Sequence, residues 1–145
     1  MPPPRQVPIG LVLARVAKRV SRAFDDALTQ AGGSRPAWLI LLALKADRPA
    51  TQRDLAAAVG IEGATLTYHL NAMEQAGLIT RERLPENRRV QRVAMTDQGE
   101  ALFERLRDAA RAHDAQLRAG LGADGLAALR EALERLEANV TPSRD

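Results

Sequence analysis

The stretch Gln52-Arg53-Asp54-Leu55-Ala56-Ala57-Ala58-Val59-Gly60-Ile61-Glu62-Gly63-Ala64-Thr65-Leu66-Thr67-Tyr68-His69-Leu70 constrains the fold more than any other part of the chain. Two helices that cross steeply need a small residue where they touch, and Ala56 supplies it. They also need a residue free to turn left-handed between them, and Gly60 supplies that. Apolar residues must grip both sides of the crossing: Leu55, Val59 and Ile61 before it, then Leu66, Leu70 and Met73. This is the spacing of a helix-turn-helix. On its second helix Leu66, Leu70 and Met73 define the inward face, and Tyr68, about 200° from Leu66, points outward with Ala64, Thr67 and Asn71 beside it. Thr65 flanks that face, and His69 lies about 60° off the inward one. Thr and Asn can bond base edges in a major groove, and an Ala or Thr methyl can touch thymine. A solvated polar face on a surface helix has the same pattern.

The neighbouring segment separates these readings. Leu78 to Leu84 and Val90 to Met95 have strand character, and Pro85-Glu86-Asn87-Arg88 joins them as a turn, so a hairpin follows the two helices directly. Net charge is only +3, from 21 basic and 18 acidic residues. Between Ile79 and Met95 five arginines (Arg81, Arg83, Arg88, Arg89 and Arg92) stand against Glu82 and Glu86, which accounts for the whole surplus. An arginine-tipped hairpin after a helix-turn-helix is a wing, with Arg88 and Arg89 where it reaches the backbone or the negative potential of a narrow minor groove. Lys18 and Lys45 are the only lysines. Arginine is the better fork for phosphate and base edges, although an Ala- and Arg-rich composition also follows from genomic base content.

Around this lobe the pattern is helical. Leu13, Val16, Val20, Phe24 and Leu28 recur along a helix from Gly10 to Ala31, stopped by Gly32-Gly33. Ser34 caps a second helix with Pro36 in its first turn; its body, Trp38 to Leu42, is apolar nearly all round and must be buried on most sides. Asp47-Arg48-Pro49 breaks it. Thr51 caps the short helix that ends at Gly60, with Asp54 as a shortened capping-box acid. The next runs from Ile61 to Ala76. Thr96 caps a long helix from Asp97 to Ala119. In the last, from Asp124, Leu126, Leu129, Leu133, Leu136 and Val140 form a heptad-like seam for a partner helix. The fold class is mainly α with a small β-hairpin.

Several function classes are excluded. With no cysteine there is no disulfide, zinc-cysteine site or thiol switch. Ala37 to Ala46, the best apolar stretch, is too short to cross a bilayer. Prolines at Met1-Pro2-Pro3-Pro4 replace an apolar signal core, so the expectation is a cytoplasmic protein with no membrane partner. No nucleophile elbow, phosphate loop or paired carboxylates mark an enzyme, and no cofactor is implied. His69 and His113, far apart, make a poor metal site. Trp38 could wall a pocket for an aromatic ligand, though a lone tryptophan on an apolar helix is more often core. Arg15, Lys18, Arg19 and Arg22 form a basic face that could hold an anionic ligand or simply be solvated.

Thr51-Gln52, Leu55-Ala56, Gly60-Ile61, Thr65-Leu66, Met73-Glu74, Gly77-Leu78-Ile79, Arg81, Asn87-Arg88-Arg89 and Val93-Ala94-Met95-Thr96, with Gly99, closely resemble the MarR family of bacterial transcription regulators. The likeness covers Trp38 to Leu106 in motif and the whole chain in helix order. It implies a winged helix-turn-helix lobe at 34–96, dimerisation helices at 9–33 and 97–141, and a disordered tail at 1–8. It further implies a homodimer with intertwined terminal helices on a pseudo-palindromic double-stranded DNA operator, and a pocket for aromatic acids or phenols between lobe and dimerisation helices. DNA contacts fall to Thr65, Thr67, Tyr68, His69 and Asn71 on the recognition helix and to Arg81, Arg88 and Arg89 on the wing. The chain departs from the family in three places. Asn87 replaces the aspartate that orients the second wing arginine; it can accept a hydrogen bond from Arg89 but adds no charge. Glu62 replaces a common serine. No arginine lies between Gly60 and Gly77, so affinity leans on the wing. The expected function is a dimeric sequence-specific DNA-binding regulator, a repressor released by a small ligand. The alternatives are a winged-helix protein-interaction module or antirepressor, and a constitutive DNA-binding regulator without ligand.

Overall fold

The computed structural model describes residues 6–47 and 50–142, with Ala50 by its backbone alone. Of the expected disordered tail, residues 1–5 lie outside the described residues, as do Arg48 and Pro49 of the expected helix break. The elements run α1 (Ile9–Gln30), α2 (Arg35–Ala46), β1 (Ala50–Thr51), α3 (Gln52–Val59), α4 (Gly63–Gln75), β2 (Ile79–Leu84), β3 (Asn87–Met95), α5 (Asp97–Arg118) and α6 (Gly122–Val140). A first compact unit ends at Ala110 and a second starts at Arg111, within α5. Among the described residues no helix is long and apolar enough to cross a membrane.

Local chemistry sets the boundaries in the first unit. Ser34 Oγ accepts from the Ala37 N–H at 3.2 Å, and Pro36 sits in the first turn of α2, where its missing N–H costs nothing. Thr51 Oγ1 likewise accepts from the Asp54 N–H to start α3. Gly60, at φ 72°, ends α3 in the left-handed conformation that only glycine adopts without strain. The recognition helix starts at Gly63 rather than Ile61, because Ile61 and Glu62 complete a three-residue turn with Gly60. Glu62 is its extended N-cap and makes no side-chain capping bond.

The hairpin differs from the expectation in two ways. Its turn is the two-residue Pro85-Glu86, and β3 begins at Asn87 rather than Val90. Pairing is regular from Ile79 opposite Met95 to Arg83 opposite Gln91, then jumps to Leu84 opposite Asn87. Arg88, Arg89 and Val90 are therefore extra residues on β3, thrown out of the ladder as a bulge. The third strand, β1, pairs with β3 (Ala50 opposite Val93, Thr51 opposite Arg92), giving an antiparallel sheet in the order β1-β3-β2.

One contiguous core holds the unit together. Leu28 of α1, Ile40, Leu41 and Leu44 of α2, Leu55 of α3, Leu66 and Leu70 of α4, Ile79 and Val93 of the hairpin, and Leu106 of α5 are all essentially without exposure. Leu42, at 44% exposed, is the large apolar side chain that α2 leaves uncovered. Thr96 fastens the wing base: its hydroxyl donates to the Gly77 carbonyl at 2.6 Å and accepts from the Gly99 N–H at 3.1 Å. Gly99 permits this closeness, since a Cβ there would lie 2.1 Å from the Leu78 carbonyl oxygen. In the second unit α6 contributes no buried residue.

Candidate nucleic-acid interface

Leu66, Leu70 and Met73 turn inward and are buried, so α4 presents the opposite flank outward as its period requires. Tyr68 is 71% exposed and meets the half-buried His69 edge-to-face, ring centroids 5.4 Å apart. Thr65 is exposed. Thr67 is half-buried and its hydroxyl is engaged within the protein, donating to the Gly63 carbonyl at 2.9 Å and accepting from Gln52 Nε2 at 2.8 Å. It has one lone pair and its methyl left for a ligand. Gln52, at the start of α3, thereby pins the recognition helix to the first helix of the motif.

Arg81 stands apart from the other wing arginines. Its guanidinium donates to Asn71 Oδ1 at 2.5 Å and to both carboxylate oxygens of Glu74 at 3.2 Å. Its side chain is 14% exposed, whereas Arg88 and Arg89 are open to solvent. The hydrogen bond from Arg81, helped by its charge and opposed by burial, holds the Glu74 carboxyl below the usual carboxylate range. Asn71 remains exposed, with its carbonyl turned to β2.

The bulge places Arg88 and Arg89 at one wall of an open cleft of about 830 Å³, whose opposite wall is the first turn of α3. Arg53 and Arg83 also line it, against Asp54. Four arginines around one concavity that also exposes the N-terminal turn of α3 suit a polyanionic backbone, in which charge neutralisation dominates affinity. Asn87 Oδ1 accepts from the Arg89 backbone N–H at 3.2 Å, so it shapes the bulge through the main chain. Sequence reasoning gave no role to Gln52, Arg53 or Arg83. The available signal was the arginine count for Arg83 and the helix-turn-helix register for Gln52 and Arg53.

The candidates for a small-molecule pocket lie elsewhere in the first unit. Trp38 packs against the core and stacks on Phe103, centroids 5.6 Å apart and planes 14° apart. Lys45 and Arg107 approach the Phe103 ring at 5.4 Å and 6.0 Å. Arg15, Lys18, Arg19 and Arg22 are exposed along one face of α1 and line a shallow hollow of about 230 Å³. Among the described residues no cluster of His, Asp and Glu could hold a metal ion.

The model of the MarR family matches residues 34–90, from the Ser34 cap through the wing bulge. That stretch is similar to a MarR-family domain. Solved structures extend the likeness over the length of the chain. A transcriptional repressor, CouR, bound to a 23-mer DNA duplex is 29% identical at a TM-score of 0.76, covering 88% of this chain and 91% of that one. A MarR-family transcriptional regulator from Rhodococcus sp. RHA1 is 24% identical at 0.72, covering 90% and 95%. Bordetella bronchiseptica BpsR, whose DNA binding is regulated by 6-hydroxynicotinic acid, is 22% identical at 0.73, covering 89% and 98%. The MarR family is one of transcriptional regulators, not enzymes, and the winged helix-turn-helix described above is its fold.

Proposed function

We propose that this chain is a MarR-family regulator: a homodimeric, sequence-specific repressor of transcription that binds a pseudo-palindromic double-stranded DNA operator and is released by a small aromatic or phenolic ligand. The observation that carries the reading is the pairing of an exposed face on α4, centred on Tyr68 and Thr65, with the arginine-lined cleft at the bulged wing. The helix face reads base edges in the major groove while Arg88 and Arg89 neutralise the backbone or enter the adjacent minor groove. Residues 34–96 form the reading lobe, and 9–33 and 97–141 form the dimerisation helices. Support for dimerisation comes from apolar side chains left in water: Ile9, Leu11 and Val16 on α1, and separately Leu129, Leu133 and Val140 on α6. CouR supports the DNA partner and BpsR the ligand control. Such a regulator works in the cytoplasm.

Release is geometric. Two recognition helices in one dimer must enter major grooves about 34 Å apart. A ligand that changes this separation weakens binding without touching DNA. The test is binding to the duplex upstream of the chain's own coding sequence at several salt concentrations, beside a scrambled duplex of equal length. A steep salt dependence with a strong preference for the upstream duplex, both reduced in Arg89→Ala, is the expected result. Equal, weak binding to both duplexes overturns the reading. A thermal-shift screen of aromatic acids then tests ligand control, and a silent panel removes that part.

A further inference from the structure

Arg81 has the residue type of a DNA contact and the surroundings of something else. It sits in the regular part of the ladder opposite Val93, away from the bulge that exposes Arg88 and Arg89. Its fork is bidentate on Glu74, an arrangement that fixes a guanidinium in orientation as well as position. A bridge to Glu74 alone would be a strut between β2 and α4. The third bond, to Asn71 Oδ1, carries the strut to the groove side of the recognition helix, because Asn71 is exposed and one turn from Tyr68. Arginine has no acceptor, so the carbonyl end of the amide must face it, and the NH2 end is left for the outside.

We propose that Arg81 is a positioning residue for base reading. It ties α4 to the wing strand and sets Asn71 to offer its amide NH2 to a base acceptor, a guanine N7 or O6 or a thymine O4. The bidentate adenine contact needs the amide carbonyl and NH2 on one base edge together; the clamp draws the carbonyl toward β2 instead, which leaves adenine a single bond to N7. The inference rests on the DNA-binding reading above and assigns Arg81 no phosphate.

The probe is the duplex that the wild-type protein enriches from a random-sequence pool, measured at several salt concentrations beside a scrambled duplex. Arg81→Ala is expected to weaken the enriched duplex about tenfold or more, while its salt slope and its affinity for the scrambled duplex stay at wild-type values. The unchanged scrambled-duplex affinity also shows that the variant is folded. Arg89→Ala, in contrast, weakens both duplexes and lowers the slope by about one. Arg81→Lys does not restore selectivity, since an ammonium cannot fork across Glu74 and Asn71. Asn71→Asp keeps a partner for Arg81 but has no donor, so it loses the preference for guanine or thymine at one position of each half-site. A slope lowered by about one in Arg81→Ala, wild-type selectivity in that variant, or an unaltered base preference in Asn71→Asp each overturns the proposal. If the wild type itself enriches no sequence, the DNA-binding reading fails first, and that failure is visible without any variant.

Discussion

Two leucine-rich helices of this chain have opposite fates. α2, only 12 residues long, buries Ala37, Ile40, Leu41 and Leu44, and its Ser34 cap is bonded. α6, with 19 residues, buries none and has no side-chain capping bond. The difference lies in how the apolar residues are distributed. α2 is apolar on most of its circumference, so it must find cover within its own chain. α6 concentrates its apolar residues in one seam with charged residues around it, a pattern that stays soluble while waiting for a second surface. Leu129 and Leu133 of that seam are 45% and 41% exposed. α2 is therefore covered by contacts within the first unit, while the seam of α6 stays exposed, the face that the dimer proposed above would cover.

The largest effect expected from breaking this contrast is in α2. Leu41→Asp places a carboxylate in a fully buried site without a partner, on top of the lost apolar burial. A cost of about 5 kcal/mol or more is of the order of a small domain's whole stability, so the far-UV helical signal and the cooperative urea transition should both be lost. A variant that still unfolds cooperatively near the wild-type midpoint would mean that α2 is not the central helix.

The same chemistry on α6 should leave the first unit standing. Leu129→Asp with Leu133→Asp is expected to weaken self-association by about 3 kcal/mol, roughly a hundredfold in dissociation constant, from lost leucine burial alone. Sedimentation should show a monomer at micromolar concentration, and the dependence of melting temperature on protein concentration should vanish. A wild-type chain that is already monomeric would show that the seam serves some other partner.

A smaller effect tests how the wing is joined to its lobe. Thr96→Val removes a helix cap and the bond to the Gly77 carbonyl while keeping the β-branched shape. About 1–2 kcal/mol should be lost in urea unfolding. No change would mean that the Gly77 carbonyl and Gly99 N–H find water as readily.

What the sequence made legible follows from what periodicity can encode. The helix-turn-helix was readable because Leu66, Leu70 and Met73 must share a face and Gly60 must be left-handed, and both are local requirements met in the structure. β1 was not, because two residues cannot alternate. The bulge was not readable either. Charge counting finds Arg88 and Arg89 but cannot say that Leu84 pairs with Asn87, which decides that three residues leave the ladder. Arg81 was grouped with them by residue type, and a count of arginines does not show which of them meets a carboxylate. Its partner Glu74 lies seven positions earlier on a neighbouring element, a pairing that only the fold reveals. Gly99 stood out only by resemblance; its reason, the Leu78 carbonyl against its α-carbon, is a long-range contact.

The smallest effect expected belongs to that same pair. Arg81 lowers the pKa of Glu74, so the folded chain binds this proton more weakly than the unfolded chain does. The stability from the pair is then complete above the ordinary carboxylate pKa and is lost as pH falls through the lowered one. Glu74 is 42% exposed, and exposed pairs of this kind contribute about a few tenths of a kcal/mol, less in salt. Urea unfolding of wild type and Glu74→Gln should therefore differ slightly at pH 7 and converge toward pH 3. A gap that stays constant across this range would place the value of Glu74 in its packing. Because the helix-to-wing tie would then be nearly independent of the charge on Glu74, the Arg81 bond to Asn71 would carry most of it.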